Sequence, residues 1–518
     1  MRLFFFFNTV LLCCGLFGKS LAGELNYDIR VLIDVTGSMQ QNDPDNSRSA
    51  ALRLIGGIMP EDAYAGVWTF GRYVNNEVKW GKVDQFWRQD VEQASQQLYA
   101  SGRYADIEKA LARASTGWSQ VDENSRRAIL LLSDGKVHVS SKPGKNEKSR
   151  NAILQTRLKA LRAAGASVHS IAMSPQADAD LLQRLAVQSG GSFTRLPAQA
   201  DLAPAFYRVI EQIIEPDQVV TQDDSFLLDQ QVEKMTLIAF RKSADAALSL
   251  LSPGEQLMTA LQPGKAQWRS ENGFELVTID SPAVGSWKIE SPGEIETHLL
   301  IESGLSLSLT TGPRRIMPAD AVELIAGLAQ GGERIDKFNF LSFVEFGLTH
   351  RQPNGSQTRY PMKASSQLAN KGLYLFRGQG SLAPGLHRFS VSAQGPGFNR
   401  SKSIDVEVGL PVEVNVESGN SVGSYQFSIS ALEPFLQAGS LKAIVELETP
   451  DGSRSPLELQ NTPERIRGSL DTGKPGIYKL HIRVSGINHD GGVVEVDLGS
   501  WPVEGVASPA PGQTQKLD

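Results

Sequence analysis

Val31–Met39 reads VLIDVTGSM: three aliphatic residues run into an aspartate, and hydroxyls follow at positions 36 and 38. The apolar run, with the polar residues before it, has the length and composition of a buried β-strand. A strand ending in a carboxylate and two alcohols offers hard oxygen donors of the kind that Mg²⁺ takes. The same residue types also serve as helix caps, so Asp34 and, further on, Asp134 have that second reading.

Working outward, residues 24 to about 216 alternate strands and helices. YDIRVLID, AYAGVWTFG, RRAILLLSDG and ASVHSIAMS read as strands. SRSAALRLIGGIM, RQDVEQASQQLYA, ADIEKALARAS, NEKSRNAILQTRLKALRAAG, ADADLLQRLAVQSGG and LAPAFYRVIEQII read as helices. Alternating β and α with continuous apolar strands implies a mostly parallel, doubly wound sheet covered by helices on both faces. In such a sheet ligands sit beyond the carboxyl ends of the strands, where the strand order reverses. Asp34 ends the first strand and Asp134 ends ILLLSDG. If those strands are neighbours, two carboxylates and two hydroxyls meet in one crevice.

The three segments DVTGSM, GRYADIEKAL and ILLLSDG, in that order, resemble the three loops of a von Willebrand factor A domain. The resemblance covers residues 27 to about 215. It implies a metal-ion-dependent adhesion site with Asp34, Thr36 and Ser38 as first-loop ligands and Asp134 as the third-loop carboxylate. The ion would be Mg²⁺, with Mn²⁺ or Ca²⁺ as alternatives. It would keep a coordination position for an exposed Asp or Glu of a protein partner. One position departs from the family pattern: the second-loop threonine is replaced by Ala105, whose methyl cannot ligate. Water, or Asp106 turned inward, would then complete the site. QQNDPDNS (40–47), with Asp43 and Asp45, lacks the glycine and distal glutamate of a calcium loop and reads as a solvated loop.

The 518 residues are too many for one core, and 41 % hydrophobic with 21 % charged residues is a globular composition. From about Pro216 helical periodicity gives way to period-2 strands separated by Pro/Gly/Asn/Asp turns. PAVGSWKIES (282–291), APGLHRFSVSAQG (383–395) and KPGIYKLHIRVSG (474–486) repeat a Gly turn, a bulky ring and alternation. Each copy is preceded by a Pro turn in LLSPGEQ, THRQPNG or ETPDG. A spacing near 95 residues suits three immunoglobulin-like sandwiches, with Trp287, His387 and Tyr478 as packing positions. AVELIAGLAQGG (321–332) is read as a strand and Gly turn. The expected layout is a signal peptide at 1–22, the α/β domain at 23–218, sandwiches at 219–312, 313–409 and 410–506, and a polar tail at 507–518.

The first residues have an Arg, an apolar stretch from Leu3 to about Phe17 and small residues before Gly23, as a secretory signal does. Both cysteines, Cys13 and Cys14, lie in it. The expectation is an exported protein, periplasmic or extracellular, without disulfides and with no membrane span after cleavage. A net charge of −6 without a basic stripe argues against nucleic acid as a partner. No zinc-protease helix, nucleophile elbow or phosphate loop is present, so no enzyme activity is expected. The competing expectations are a metal-free scaffold of an envelope assembly and an accessory subunit of an enzyme or transporter.

Overall fold

The computed structural model describes residues 26–505, except 62, 123, 197–201, 223, 244–245, 319, 365–367, 369–370, 379–381, 420, 422, 433–434, 438, 463–464 and 488–491. The expected signal segment, its two cysteines and the tail 507–518 lie outside the described residues. Among the described residues no helix is long and apolar enough to cross a membrane.

The N-terminal domain is built on a six-stranded sheet. Its strands are β1 (Asn26–Asp34), β2 (Tyr64–Phe70), β3 (Val74–Lys82), β4 (Ser125–Ser133), β5 (Ala166–Ala172) and β6 (Phe193–Arg195). Their order is β3-β2-β1-β4-β5-β6, parallel except for β3. The chain runs outward from β1 through β2, then returns to place β4 on the other side of β1. The order therefore reverses between β1 and β4, and that is where a ligand crevice forms. β3 was not anticipated. VNNEVKWGK is an edge strand with Val78 as its one buried residue, so it carries little apolar signal.

Among the described residues eight helices accompany the sheet: α1 (Met39–Asn42), α2 (Ser47–Ile58), α3 (Gln85–Gln96), α4 (Ile107–Ala114), α5 (Pro143–Ala152), α6 (Leu158–Ala163), α7 (Ala179–Ser189) and α8 (Leu202–Ile214). A π-turn, Ile153–Arg157, joins α5 to α6, so the anticipated long helix exists with one widened turn. Period-2 alternation splits the core. Ile29, Val31 and Ile33 face α2, α3 and α8, whereas Leu32, Ile129 and Leu131 face α4, α6 and α7.

The remainder is all-β in its sheets: two of four strands, two of five, then two of four. Each pair encloses its own apolar cluster. Strand Leu305–Thr311 pairs with Val322–Gln330, so the second unit begins at Leu305, not at 313. The 321–332 segment is a strand, as its β context suggested. The internal repeat is a physical device. Gly285, Gly385 and Gly476 take φ of +129°, +129° and +138°, and a Cβ on each would meet Pro253, Pro353 or Pro450 at 2.9, 2.8 and 2.7 Å. Two residues on, the buried ring bonds to the backbone four residues upstream. Trp287 Nε1 donates to the Ala283 carbonyl (2.9 Å), and His387 Nε2 lies 2.7 Å from that of Ala383. In the third copy Tyr478 Oη accepts from the Lys474 amide (3.1 Å). His387 also pairs with buried His350 at 2.8 Å, a contact between distant histidines that spacing could not reveal.

The N-terminal domain is not a separate bead. Ile238, Phe240, Phe274, Leu276 and Leu300 of the first β unit belong to the same apolar cluster as α2 and α8. Gly57 of α2 comes so close that a Cβ would lie 2.3 Å from the Leu276 side chain. Arg53 grips Glu271 with two 2.6 Å bonds across this junction. The backbone of Gln218 pairs with Ser401 of the second unit (2.9 and 2.8 Å).

Candidate metal site at the strand switch point

β1 and β4 are parallel neighbours, Ile33 opposite Leu132, so their carboxyl ends bring Asp34 and Asp134 together. Thr36 Oγ1 lies 3.0 Å from Ser38 Oγ and 3.3 Å from Asp134 Oδ1, and Ser38 Oγ lies 3.0 Å from the same Asp134 oxygen. Three oxygens therefore form a triangle with edges of 3.0–3.3 Å. Adjacent ligands of an octahedral ion with bonds of about 2.1 Å are separated by about 3.0 Å. The donor set thus has the chemistry and the spacing of one face of a Mg²⁺ octahedron.

The surrounding groups hold these oxygens in place. Asp34 Oδ1 accepts from the Thr36 amide (2.9 Å), which turns the loop, and its Oδ2 accepts from Ser133 Oγ (2.8 Å). Asp134 Oδ2 accepts from Asn42 Nδ2 (2.8 Å). Ser174 donates to the Asp134 carbonyl. Asp34 and Asp134 do not cap helices with their side chains. Burial, and then the Asp134 charge beside it, push the Asp34 carboxyl up to about 6, while its hydrogen bonds pull the other way. A cation placed beside both carboxylates relieves that repulsion.

The second loop lies against the first: Gly37 donates to the Gly102 carbonyl (2.7 Å) and Gly102 to that of Val35 (2.9 Å). Ala105 is buried, its backbone pairs with His138 (2.8 and 3.1 Å), and its methyl offers no oxygen to the site. Asp106 does not turn inward as a ligand. It is the N-cap of α4, accepting from the Lys109 amide at 3.1 Å, because the first turn of that helix needs an acceptor. No group of three or more His, Cys, Asp or Glu side chains is placed to hold a metal among the described residues. The site has two carboxylates and two hydroxyls.

The segment 40–47 is not a solvated loop throughout. Asp43 is buried, pairs with the buried Arg48 guanidinium at 2.6 Å and accepts from the Ser47 amide at 2.7 Å. Arg48 in turn donates to the Asp34 carbonyl (2.8 Å), tying the ligand loop to α2. Sequence reasoning also missed Asn42, Ser133 and Ser174. Asn42 stands four residues after Ser38, on the same side of a helical turn, and Ser133 directly precedes Asp134; both spacings were legible signals.

Residues 28–206 match the family model of the von Willebrand factor type A domain. No curated protein shows significant similarity to the chain. Among solved structures, a von Willebrand factor type A protein from Catenulispora acidiphila is 12 % identical, with 60 % of this chain and 64 % of that chain covered and a TM-score of 0.30. Proximal thread matrix protein 1 from the mussel byssus, with a zinc-occupied MIDAS motif, is 18 % identical over 36 % of this chain and 48 % of that one, TM-score 0.29. The chain spans less than two thirds of the length of both. The vWF domain of the type V pili tip protein Mfa5 from Porphyromonas gingivalis is 13 % identical, covering 37 % of this chain and 95 % of that one, TM-score 0.28. On the family match, the six-stranded α/β unit that carries Asp34, Thr36, Ser38 and Asp134 is a von Willebrand factor type A domain, followed by a large all-β region.

Proposed function

We propose that the chain is an exported, non-enzymatic binding protein whose A domain docks a partner protein through a divalent ion. Thr36, Ser38 and Asp134 hold the ion, Asp34 supplies the buried second charge, and water takes the place of the absent threonine oxygen. Bound Mg²⁺, or Mn²⁺ or Ca²⁺, supplies a Lewis-acidic position for an Asp or Glu carboxylate of the partner. The immunoglobulin-like sandwiches carry the domain. The observation that supports this most is the oxygen triangle with 3.0–3.3 Å edges at the end of β4. One observation favours the metal-free scaffold as the second reading, the methyl of Ala105 where a ligand is expected.

The test uses the full chain, because the A domain shares its core with the first β unit. Immobilised protein is exposed to a solubilised envelope extract in Mg²⁺, in chelator, and as Asp34→Asn in Mg²⁺. Docking through the ion requires a partner retained in the first condition and lost in both others. A partner retained equally in all three would sink the proposal.

A further inference from the structure

A second cleft, of about 400 Å³, lies between the A domain and the second β unit. Arg126 and Arg127 at the start of β4 and Arg314 and Arg315 of the second unit line it. Asp134 stands at the far end of β4, about 25 Å away at a strand rise of about 3.3 Å per residue. The two sites are therefore separate.

The charges in this cleft do not pair one to one. Glu215 Oε1 accepts from Arg126 (2.5 Å) and also from Arg314, so one carboxylate oxygen serves two guanidinium groups. Glu215 itself takes a left-handed φ of +46° at the end of α8 to reach them. Glu407 takes Arg315. Asp405, the third carboxylate of the lining, accepts from Gln212 (2.8 Å) and lies 4.0 Å from Arg388. Arg127 donates to the carbonyls of Ala164 (3.1 Å) and Gln120 (2.5 Å) and lies 5.8 Å from the Trp118 ring, but Asp122 is 3.9 Å from it, and its buried Nε has no partner. The potential registers on neighbouring groups. Burial first, then Arg314 and Arg126, lower buried His169 to about 4, and burial lowers Arg314, with Arg126 adding to it and Glu215 and Asp405 pulling the other way. His169 thus faces the cleft as a neutral ring. Leu386, Ile213 and Val187 add an apolar wall, and the volume is that of a small-molecule site.

We propose that this cleft binds a small organic oxyanion, phosphate- or carboxylate-bearing, between Arg126, Arg127, Arg314 and Arg315. A guanidinium presents a planar fork suited to either group, and an anion here satisfies Arg127 and relieves the crowding of Arg126 against Arg314. Because the lining comes from two domains, a bound anion also fastens the A domain to the second β unit.

The experiment is calorimetric titration of the full chain with inorganic phosphate and with malonate, at constant ionic strength and in chelator. The chelator makes the outcome independent of the metal site. Saturable binding of at least one probe below about 10 mM is expected. The tighter probe tells phosphate from carboxylate. Arg127→Gln should weaken it about ten- to a hundred-fold, as loss of charge-assisted hydrogen bonds does. Arg315→Gln is a second variant should the first fail to fold, and Arg72→Gln, on the exposed β2–β3 turn, should bind as wild type. No saturable binding of either probe, or wild-type affinity in Arg127→Gln and Arg315→Gln, overturns the proposal.

Discussion

Replacing Asp34 by Asn should stabilise the protein in chelator, and saturating Mg²⁺ should cancel nearly all of that advantage. In chelator the carboxylate is a burden. Its folded-state pKa is raised from 3.8 to about 6, chiefly by burial and then by Asp134. At about 1.4 kcal/mol per unit, this is a destabilisation on the order of 3 kcal/mol. The sign follows from proton binding. The folded state holds the proton more tightly, so the cost is absent below the unfolded pKa near 3.8, grows as pH rises towards 6, and is complete above it. Asn keeps the local bonds: its carbonyl accepts from the Thr36 amide and its amide donates to Ser133 Oγ. In chelator at pH 7.5, Asp34→Asn should therefore unfold at higher denaturant than wild type, and the gap should close by pH 4. In Mg²⁺ at a hundred times its dissociation constant, wild type gains about 2.7 kcal/mol that the variant does not. Urea denaturation of the full chain reads both effects. A variant less stable than wild type in chelator at pH 7.5 would refute the reasoning.

Three further outcomes follow from the same geometry. Ala105→Thr returns the missing hydroxyl to the second loop and should tighten Mg²⁺ binding by about 1 kcal/mol, roughly fivefold, in a calorimetric titration. Asp43→Asn leaves the Arg48 guanidinium buried without its anion and should cost about 3–5 kcal/mol in urea denaturation, much of it recovered in the double variant with Arg48→Met. Phe240→Ala, though it lies in the first β unit, removes a ring from the cluster shared with α2 and α8. It should cost about 3–5 kcal/mol and lower the unfolding transition of the A domain, with hydrogen exchange in α8 as the readout.

The parts of the fold and site that were legible in the sequence are those where one residue type has one physical use. The apolar runs of β1 and β4 and the helices with 3.6 periodicity declared the doubly wound sheet. The D-x-T-x-S spacing placed three oxygens on one loop, and Asp34, Thr36, Ser38 and Asp134 do meet. The Gly and ring of each β repeat were visible because a φ near +130° excludes other residues. Residues with two uses were ambiguous. Asp106 had the composition of a ligand and the position of an N-cap, and the unpaired amides of α4 took it. Asp43 looked solvated because its partner Arg48 is a basic residue beyond a Pro-containing turn, and only the fold buries both. β3 pays for its edge position with polar residues and so leaves almost no periodic trace. The shared core between the A domain and the first β unit was invisible, since Phe240 and Leu276 read as ordinary sandwich residues.

The most direct test of the central claim is calorimetric titration of the full chain with Mg²⁺, Mn²⁺ and Ca²⁺, with Asp134→Asn as the control. The site described here predicts one saturable binding event for wild type, abolished in the variant, with affinity falling as pH drops below about 6 and a proton competes for Asp34. Absence of saturable binding up to millimolar ion, or binding unchanged by Asp134→Asn, would contradict it.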